Sequence, residues 1–487
     1  MQIFLLLMML GVLVHDEVRG PLGLGEPASP WLLLGLAIGM RVLLGGGHTL
    51  ACRWTLGKLG RRGGAKAARR LERITALYRV AGLALYYAEL SLGLLVWIRA
   101  AVIDTVLLDE LLMIAPTIGL LIFGWWSYYP IDRRIREASL IGRVDAGLPV
   151  YPIWTRGQYL LAQVRHQLAL ILAPLLAILA WQEVVMRMPA DWFGRPDYRW
   201  LAMIGGALVV FLAAPLIIRF LWDTVPLPPG ELRRRLEAMC RRHRVGVRQL
   251  LVWRTFGGMI NAAVMGLIAP LRYILLTDAL LEMVPRPQVE AVMAHELAHV
   301  RKHHMFWLAA AAIGSLGALE ITFGTLFMSL TPDPAIHPAM VRAAGPPTWL
   351  LSPHATLVAT VAAAGVSWIL VFGYVSRRFE RQADAFAVRH LATEREDPAR
   401  DAEGRILVDA LSAHTMAGAL QTVADLNHIP TTRRSWRHGS IRWRQQYLMS
   451  LVGRPVDELP IDRRVRHIKF AAGLAIAAII AIQAWAG

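Results

Sequence analysis

The sequence predicts a mainly α, polytopic helical membrane protein, on the evidence of its composition and of how its apolar and basic residues are arranged. Of its 487 residues, 56% are hydrophobic and only 18% are charged, and the mean hydropathy is +0.44. A soluble chain of this length has a charged fraction nearer about 25%. The apolar residues form runs of membrane-spanning length, and the basic residues flank these runs.

The apolar runs mark the candidate transmembrane helices, because about 20 such residues cross a bilayer. In chain order they are Met1–Val14, Trp31–Thr49, Ala81–Ile98, Val106–Trp126, Tyr159–Trp181, Trp200–Trp222, Met305–Leu330, Leu350–Val375 and Ile468–Trp485. The first run is short. It lacks a preceding Lys or Arg and a following A-x-A-like site, so we interpret it as an uncleaved helix and not as a signal peptide.

Several runs carry an ionisable residue, namely Arg41, Glu89, Arg165 and Glu320. Such residues usually face the interior of a helix bundle or a watery cavity. Snorkelling or an ion pair between helices is the simpler explanation, and we favour it over a functional role.

Basic residues alternate between successive loops, which predicts the orientation of the chain. The loops after the second and fourth runs are rich in Lys and Arg, whereas the loops between them hold few. Because cytoplasmic loops carry the excess of positive charge, the polar segments 223–304 and 376–467 are expected on the cytoplasmic side. The expected location is a bacterial inner membrane, with the protein integral and multi-pass.

The formal net charge of +17 raises the question of a nucleic-acid partner. The arginines flank apolar runs and do not form one basic domain, so we expect no nucleic acid and a lipid bilayer as the partner. The two cysteines, Cys52 and Cys240, give no disulfide framework.

Five regions follow from these patterns. They are a membrane region of about six helices at 1–222, a first polar part at 223–304, a transmembrane hairpin at 305–375, a second polar part at 376–467 and a final transmembrane helix at 468–487. The first polar part is predicted to hold a helix and three short strands. These are Glu231–His243, followed by Val245–Trp253, Asn261–Leu267 and Tyr273–Leu276.

A metal-binding pattern lies in the helix predicted to begin near Gln288. His295 and His299 are four residues apart, so both imidazoles lie on one helical face and can reach one ion. Glu296 lies beside that face, where a carboxylate can take a proton from water activated by the metal. The alternative is a surface helix with two ordinary histidines. The uncharged, helix-forming flanks make the motif semi-buried and favour zinc.

A third ligand is expected from another part of the chain. Glu380 and Asp384 are four apart on a predicted helix, as a ligand and a carboxylate that orients a histidine would be. The predicted hairpin returns the chain to the surface that it left after His299. A solvated charged face is the alternative. We interpret His303 and His304 as polar residues at the membrane boundary, because the ligand set is complete without them.

These motifs resemble those of the CAAX prenyl endopeptidase and HtpX family of membrane gluzincins. The resemblance rests on His295-Glu-Leu-Ala-His299, the hairpin and Glu380-Arg-Gln-Ala-Asp384. Two weaker elements are Asn261-Ala-Ala-Val-Met-Gly266, similar to the N-A-x-x-x-G strand, and His438-Gly-Ser-Ile-Arg-Trp-Arg444, similar to H-P-x-x-x-x-R. Gly439 and Gln445 depart from the family pattern.

The resemblance implies a role for each matching residue. Zinc ligands would be His295, His299 and Glu380, with one Zn²⁺ per chain and Glu296 as the base. Asp384 would orient a ligand, His438 would stabilise the oxyanion of the transition state and Arg444 would organise the site. Asn261, Ala262 and Gly266 would lie in an edge strand that a peptide joins through main-chain hydrogen bonds. An ordinary buried strand is the alternative.

The predicted function is therefore zinc-dependent endopeptidase, acting on a peptide or membrane-protein substrate. The fold would be a helical membrane protein with a cytoplasmic α+β zincin-like metallopeptidase domain split by a transmembrane hairpin. The competing class is a transporter or channel with a regulatory or inactive zinc domain. Transporters favour paired repeats with matching broken helices, which the sequence lacks. The resemblance implies both prenylated C-termini and misfolded membrane proteins as substrates, and no residue chooses between them.

Overall fold

The computed structural model describes residues 2–13, 15, 29–59, 64–102, 105–145, 147, 150–194, 197–330 and 353–486. The chain divides into two compact units, Met1–Asp223 and Thr224–Gly487, which are described separately below. The turn predicted for the transmembrane hairpin falls at 331–352 and lies outside the described residues, as does Val14 at the end of the first predicted run.

The described part of the first unit is helical. Its helices are α1 (Gln2–Leu13), α2 (Pro30–Lys58), α3 (Gly64–Ser91), α4 (Leu94–Val102), α5 (Leu108–Asp145), α6 (Arg156–Gln163), α7 (Leu170–Arg187) and α8 (Asp197–Leu221). A π-helical segment, Val164–Ala169, joins α6 to α7 and contains Arg165. The core includes Leu5, Tyr86 and Met113, all essentially buried.

Four described helical stretches of the first unit are long and apolar enough to cross a membrane, namely Pro30–Lys58, Leu108–Ala138, Arg156–Arg187 and Tyr198–Leu221. The predicted span Ala81–Ile98 is bent in the structure: α3 and α4 are together apolar enough for a span, but they meet at 66°. The break follows Ser91-Leu92-Gly93, where glycine is a poor helix former. Helix α1 has 12 residues, fewer than a bilayer crossing needs.

An ion pair inside the first unit accounts for two of the intramembrane charges. Arg41 of α2 makes a two-pronged contact with the Glu89 carboxylate of α3, with an Nη2–Oε2 distance of 2.8 Å. The same guanidinium donates to Thr117 Oγ1 of α5 at 3.2 Å. The preferred explanation of an ion pair between helices is confirmed for this pair. The side chain of Glu320 lies outside the described side chains.

The second unit contains a four-stranded sheet. Its strands are β1 (Thr224–Pro226), β2 (Gln249–Trp253), β3 (Ala262–Met265) and β4 (Tyr273–Thr277), arranged in the order β1-β2-β4-β3. The pair β2–β4 is parallel and the other two pairs are antiparallel. β2 begins four residues later than predicted, because the Val245 amide bonds to Cys240 O at 2.9 Å and ends the preceding helix.

Helices complete the second unit. They are α9 (Glu231–Arg242), α10 (Asp278–Met283), α11 (Arg286–Arg301), α12 (His304–Leu330), α13 (Pro353–Thr393), α14 (Ala410–Leu426), α15 (Ile441–Met449) and α16 (Pro460–Ala486). Every residue of β4 is buried, since helices and strands enclose it. Helix α11 packs against β3 on one side and α13 on another, and α12 packs against α13 and α16.

Apolar helices recur in the second unit. Pro460–Ile482 is a further candidate membrane span, and His304–Leu319 is a shorter apolar helix. The predicted mainly helical, polytopic membrane architecture is confirmed, and the structure adds that the short strands form a mixed sheet. The sheet and α11 hold one part of the candidate site, while α13 and α15 bring the other.

Candidate metal centre

Three side chains from two helices converge on one point in the second unit. His295 and His299 project from one face of α11, and their Nε2 atoms are 3.3 Å apart. The Glu380 carboxylate of α13 lies 3.6 Å from His295 Nε2 and 3.8 Å from His299 Nε2. Among the described residues, no other group of three His, Cys, Asp or Glu side chains has ligand atoms this close together.

The separations fit a tetrahedral zinc ion. Donor atoms about 2.0–2.1 Å from a tetrahedral zinc lie about 3.3–3.4 Å from one another. The two imidazole nitrogens are 3.3 Å apart, Glu380 Oε2 lies 3.6 Å from His295 Nε2, and Glu380 Oε1 lies 3.8 Å from His299 Nε2, all close to that spacing. Two imidazole nitrogens and one carboxylate oxygen also form a donor set that suits zinc and leaves a fourth position open.

Asp384 and Arg444 form a buried charged pair behind this triangle. Asp384 Oδ1 lies 2.9 Å from His295 Nδ1, the imidazole nitrogen that faces away from the triangle. The Arg444 guanidinium donates to both Asp384 oxygens, at 2.7 and 2.5 Å, and lies 3.2 Å from Glu380 Oε2. Arg444 therefore fixes the orienting carboxylate and the third ligand candidate together.

The charges of this pair set the ionisation of the carboxylates. Burial alone raises the pKa of Asp384 and of Glu380, but the positive charge of Arg444 outweighs it and lowers both. Burial lowers the pKa of His299 to about 4, so its imidazole is neutral near pH 7. Burial also lowers the pKa of His295, but the hydrogen bond and the charge of Asp384 outweigh it and raise that pKa. Because ionised carboxylates and neutral imidazoles bind metal, metal binding competes with a proton at His295.

Glu296 lies beside the triangle on α11. Burial raises the pKa of its carboxyl to about 7, with the nearby Glu380 acting in the same direction and His295 opposing it. The backbone N–H of Val264 in β3 hydrogen-bonds to this carboxyl. A carboxylate with a pKa near the working pH is well suited to accept and return a proton.

His304 is a part of the centre that the sequence did not reveal. Its Nδ1 lies 3.0 Å from His299 Nδ1, and its Nε2 lies 2.8 Å from Gln382 Oε1. The ring stacks on Phe379 at a centroid distance of 4.4 Å and is only 2% exposed. The interpretation of His304 as a polar residue at the membrane boundary is therefore wrong.

The helix break between α11 and α12 explains the position of His304. His303 has a φ of +55°, and the left-handed turn that it forms redirects the chain. In an uninterrupted helix, His304 would be five residues beyond His299 and on a different face. His303 itself is exposed. No pattern in the sequence marks this turn.

His438 lies at the open side of the centre. Its side chain is 49% exposed, and its Nδ1 is 3.0 Å from Glu380 Oε1. It is carried by a turn in which Ser435 and Gly439 exchange two backbone hydrogen bonds of 3.2 and 2.9 Å. Gly439 has a φ of +76°, and a Cβ there would lie 2.8 Å from Trp443. The turn therefore requires glycine where the family pattern has proline.

Strand β3 forms the edge of the sheet next to α11. The Asn261 side chain is exposed, whereas Ala262 is buried and contributes to the core. Gly266 has a φ of +97°, and a Cβ there would lie 2.3 Å from Leu271 O. Ala262 and Gly266 thus have clear roles in the fold, and β3 has a neighbouring strand of the sheet on one side only.

The first prediction concerns His304. In His304→Ala, His299 Nδ1 loses its partner, and the affinity for zinc should fall by about 10–100-fold, as when other groups that orient a ligand are removed. Chelator competition on the purified protein measures this affinity. His303→Asn is the matched control, because asparagine tolerates the left-handed backbone of that position. Equal affinities for His304→Ala and the unchanged protein would refute the assignment.

Comparison with known proteins shows what the part of the chain around the centre is similar to. Residues 226–421 match the model of Peptidase family M48. A segment of 201 residues is 27% identical to the CAAX prenyl protease 1 homolog of Arabidopsis thaliana, covering 39% of this chain and 44% of that protein. The matched region thus spans less than half of that relative's length.

A solved structure shares the fold. The crystal structure of S. mikatae Ste24p matches with a TM-score of 0.50 and 16% identity, over 88% of this chain and 100% of that one. The likeness concerns the fold, and it spans both the helical region and the domain that contains the centre. The resemblance predicted from the sequence is confirmed: residues 226–421 are similar to peptidase family M48, and the chain is similar to a CAAX prenyl protease homolog and, in fold, to Ste24p.

Proposed function

We propose that this chain is a membrane-embedded, zinc-dependent endopeptidase that hydrolyses peptide bonds at the cytoplasmic face of its membrane. The observation that carries the proposal is the convergence of His295, His299 and Glu380 beside the Glu296 carboxyl. A purely structural zinc site is usually closed by four protein ligands and needs no such carboxylate.

The residues have distinct tasks in this mechanism. His295, His299 and Glu380 hold the ion, while Asp384 fixes the orientation of the His295 ring. A zinc ion held by these residues would supply Lewis acidity, which would lower the pKa of a water and polarise the carbonyl group of the substrate. Glu296 accepts the proton of the attacking water on a carboxylate oxygen and returns it to the leaving amine.

Two further elements would handle the substrate. The exposed imidazole of His438 reaches the open side of the centre, where it donates a hydrogen bond to the oxygen that becomes negative in the transition state. The free edge of β3, around Asn261, Ala262 and Gly266, pairs with an extended peptide. Arg444 is a positioning residue, since it contacts Asp384 and Glu380.

The substrate class has two candidates. The Arabidopsis relative carries the name CAAX prenyl protease, which suggests prenylated C-termini, and misfolded membrane proteins are the other class. Extended main-chain pairing at β3 depends little on side chains and is compatible with both. A transporter or channel with a regulatory zinc domain is not favoured, because the centre keeps an open position and a base.

Glu296→Gln tests the mechanism. Zinc should remain bound, because Glu296 is not among the three converging ligand candidates, while turnover of a peptide should fall by at least about 10²-fold. Metal analysis and peptide-cleavage assays on the same preparation measure both. The matched control is Glu290→Gln, which makes the same chemical change on α11 at a side chain paired with Arg235. This variant should cleave the peptide at the normal rate. Near-normal turnover in Glu296→Gln would show that Glu296 is not the general base.

The ranking of metal losses tests the ligand set. Glu380→Ala should lose zinc outright, whereas Asp384→Ala should weaken affinity or activity by about 10–100-fold, because a ligand matters more than the group that orients it. Glu394→Ala, at the residue that directly follows α13 and is paired with Arg242, is the control. Thermal unfolding checks that each variant is folded. Full zinc occupancy in folded Glu380→Ala would mean that another side chain is the ligand.

Membrane orientation is tested with reporter fusions. The alternation of Lys and Arg between loops predicts that a reporter fused after Ser376 is cytoplasmic and that one fused within 332–347 is on the opposite side. Each fusion is made with two reporters in turn, one active only in the cytoplasm and the other only in the periplasm. Periplasmic activity of the fusion after Ser376 would contradict the proposed cytoplasmic site.

A further inference from the structure

The segment that leads into α15 carries a concentration of positive charge. Residues 427–444 contain five arginines and no Asp or Glu. Three of these, Arg433, Arg434 and Arg437, are exposed, and among the described residues no carboxylate lies within 4.0 Å of their guanidinium groups. Their charge is therefore available to a partner outside the chain.

Trp436 fixes this segment to α13. Its indole Nε1 donates to Ile369 O at 2.8 Å, and its carbonyl oxygen accepts from Arg377 Nη1 at 2.7 Å. The ring stacks on Phe372 at a centroid distance of 5.2 Å, and Phe372 stacks on Trp368 at 5.3 Å. The turn formed by residues 433–439, called here the arginine turn, thus lies against the last turns of the predicted membrane-spanning part of α13.

The surface of α13 at this level is apolar. Val366, Ile369 and Leu370 are each more than half exposed, as expected of side chains that face lipid. One turn further on, Tyr374 is 47% exposed and Arg378 lies 4.3 Å from its ring. Tryptophan, tyrosine and arginine are typical of the boundary between the hydrocarbon and water. Because the predicted span Leu350–Val375 ends here, this composition is typical of the level of the lipid headgroups.

The arginine turn also carries a residue of the candidate centre. His438 follows Trp436 by two positions, inside the turn closed by Ser435 and Gly439. Its imidazole reaches Glu380 at 3.0 Å. A force that fixes the three arginines and Trp436 therefore also fixes the position of His438.

We propose that anionic phospholipid headgroups bind Arg433, Arg434 and Arg437 and hold the arginine turn in the position that directs His438 into the centre. The occupant is a lipid of the surrounding bilayer, because the turn is seated on the lipid-facing side of α13 and its guanidinium groups suit phosphate. Cleavage then depends on anionic lipid. This inference rests on the proposed peptidase function through His438, whereas headgroup binding itself does not.

The experiment compares two bilayers. The full chain is reconstituted in nanodiscs of phosphatidylcholine alone or of phosphatidylcholine with phosphatidylglycerol. Hydrogen exchange of peptides from 427–444 reports binding, and kcat and KM for a peptide substrate report its consequence. The test variant is Arg433→Gln/Arg434→Gln/Arg437→Gln. The matched control is Arg463→Gln/Arg464→Gln/Arg466→Gln, which removes three exposed arginines at the start of α16.

Phosphatidylglycerol should slow exchange in 427–444 and raise kcat by about tenfold with little change in KM, as expected when several arginines bind an anionic surface. The control variant should respond to phosphatidylglycerol as strongly as the unchanged protein does. The test variant should not respond, so in both bilayers its exchange and its kcat should equal those of the unchanged protein in phosphatidylcholine. Inorganic phosphate added to phosphatidylcholine discs should not reproduce the effect. If it does so fully, a free anion is the ligand and the lipid proposal is wrong.

Other outcomes are equally decisive. Identical exchange and turnover in the two bilayers would overturn the inference, and so would an equal loss of response in both triple variants. If no peptide is cleaved in either bilayer, the proposed function fails, and exchange alone then decides whether headgroups bind the arginine turn. Slower exchange that depends on the three arginines would support binding, and unchanged exchange would exclude it.

Discussion

The buried guanidinium of Arg444 is the constraint on which the centre depends. Asp384 is fully buried and Glu380 nearly so, and two such carboxylates repel one another in a medium that screens charge poorly. Arg444 pairs with both and leaves one net negative charge, which a divalent cation at the triangle would more than neutralise. Because α15 carries Arg444, a short helix late in the chain stabilises ligands placed on α11 and α13.

The same contacts determine how rigidly the imidazoles are held. Asp384 faces the outer nitrogen of His295, and His304 faces that of His299. Each candidate ligand on α11 thus has its own partner, one supplied by α13 and the other by the first residue of α12. An imidazole with a fixed outer nitrogen loses less rotational freedom when it binds a metal, and its ring is already directed at the ion.

The sequence predicted those parts of the site that depend on local periodicity. The spacing of His295 and His299, and that of Glu380 and Asp384, places each pair on one helical face whatever the rest of the chain does. His304 could not be predicted, because its position depends on one positive φ angle at His303. The start of β2 and the bend between α3 and α4 were missed for a similar reason. A capping bond and a broken helix are set by a few backbone angles that hydrophobic patterns do not encode.

The distance between α11 and α13 is set by small side chains. Ala298 and Ala383 are fully buried and pack together with Phe386 between the two helices. A larger residue at either alanine would separate the helix axes, since packed interiors accommodate added volume only by shifting the backbone. The carboxylate of Glu380 would then move away from both imidazoles, and the separations of 3.6 and 3.8 Å would increase. The alanines of His295-Glu-Leu-Ala-His299 and Glu380-Arg-Gln-Ala-Asp384 touch neither the metal position nor a substrate, yet they fix the size of the ligand triangle.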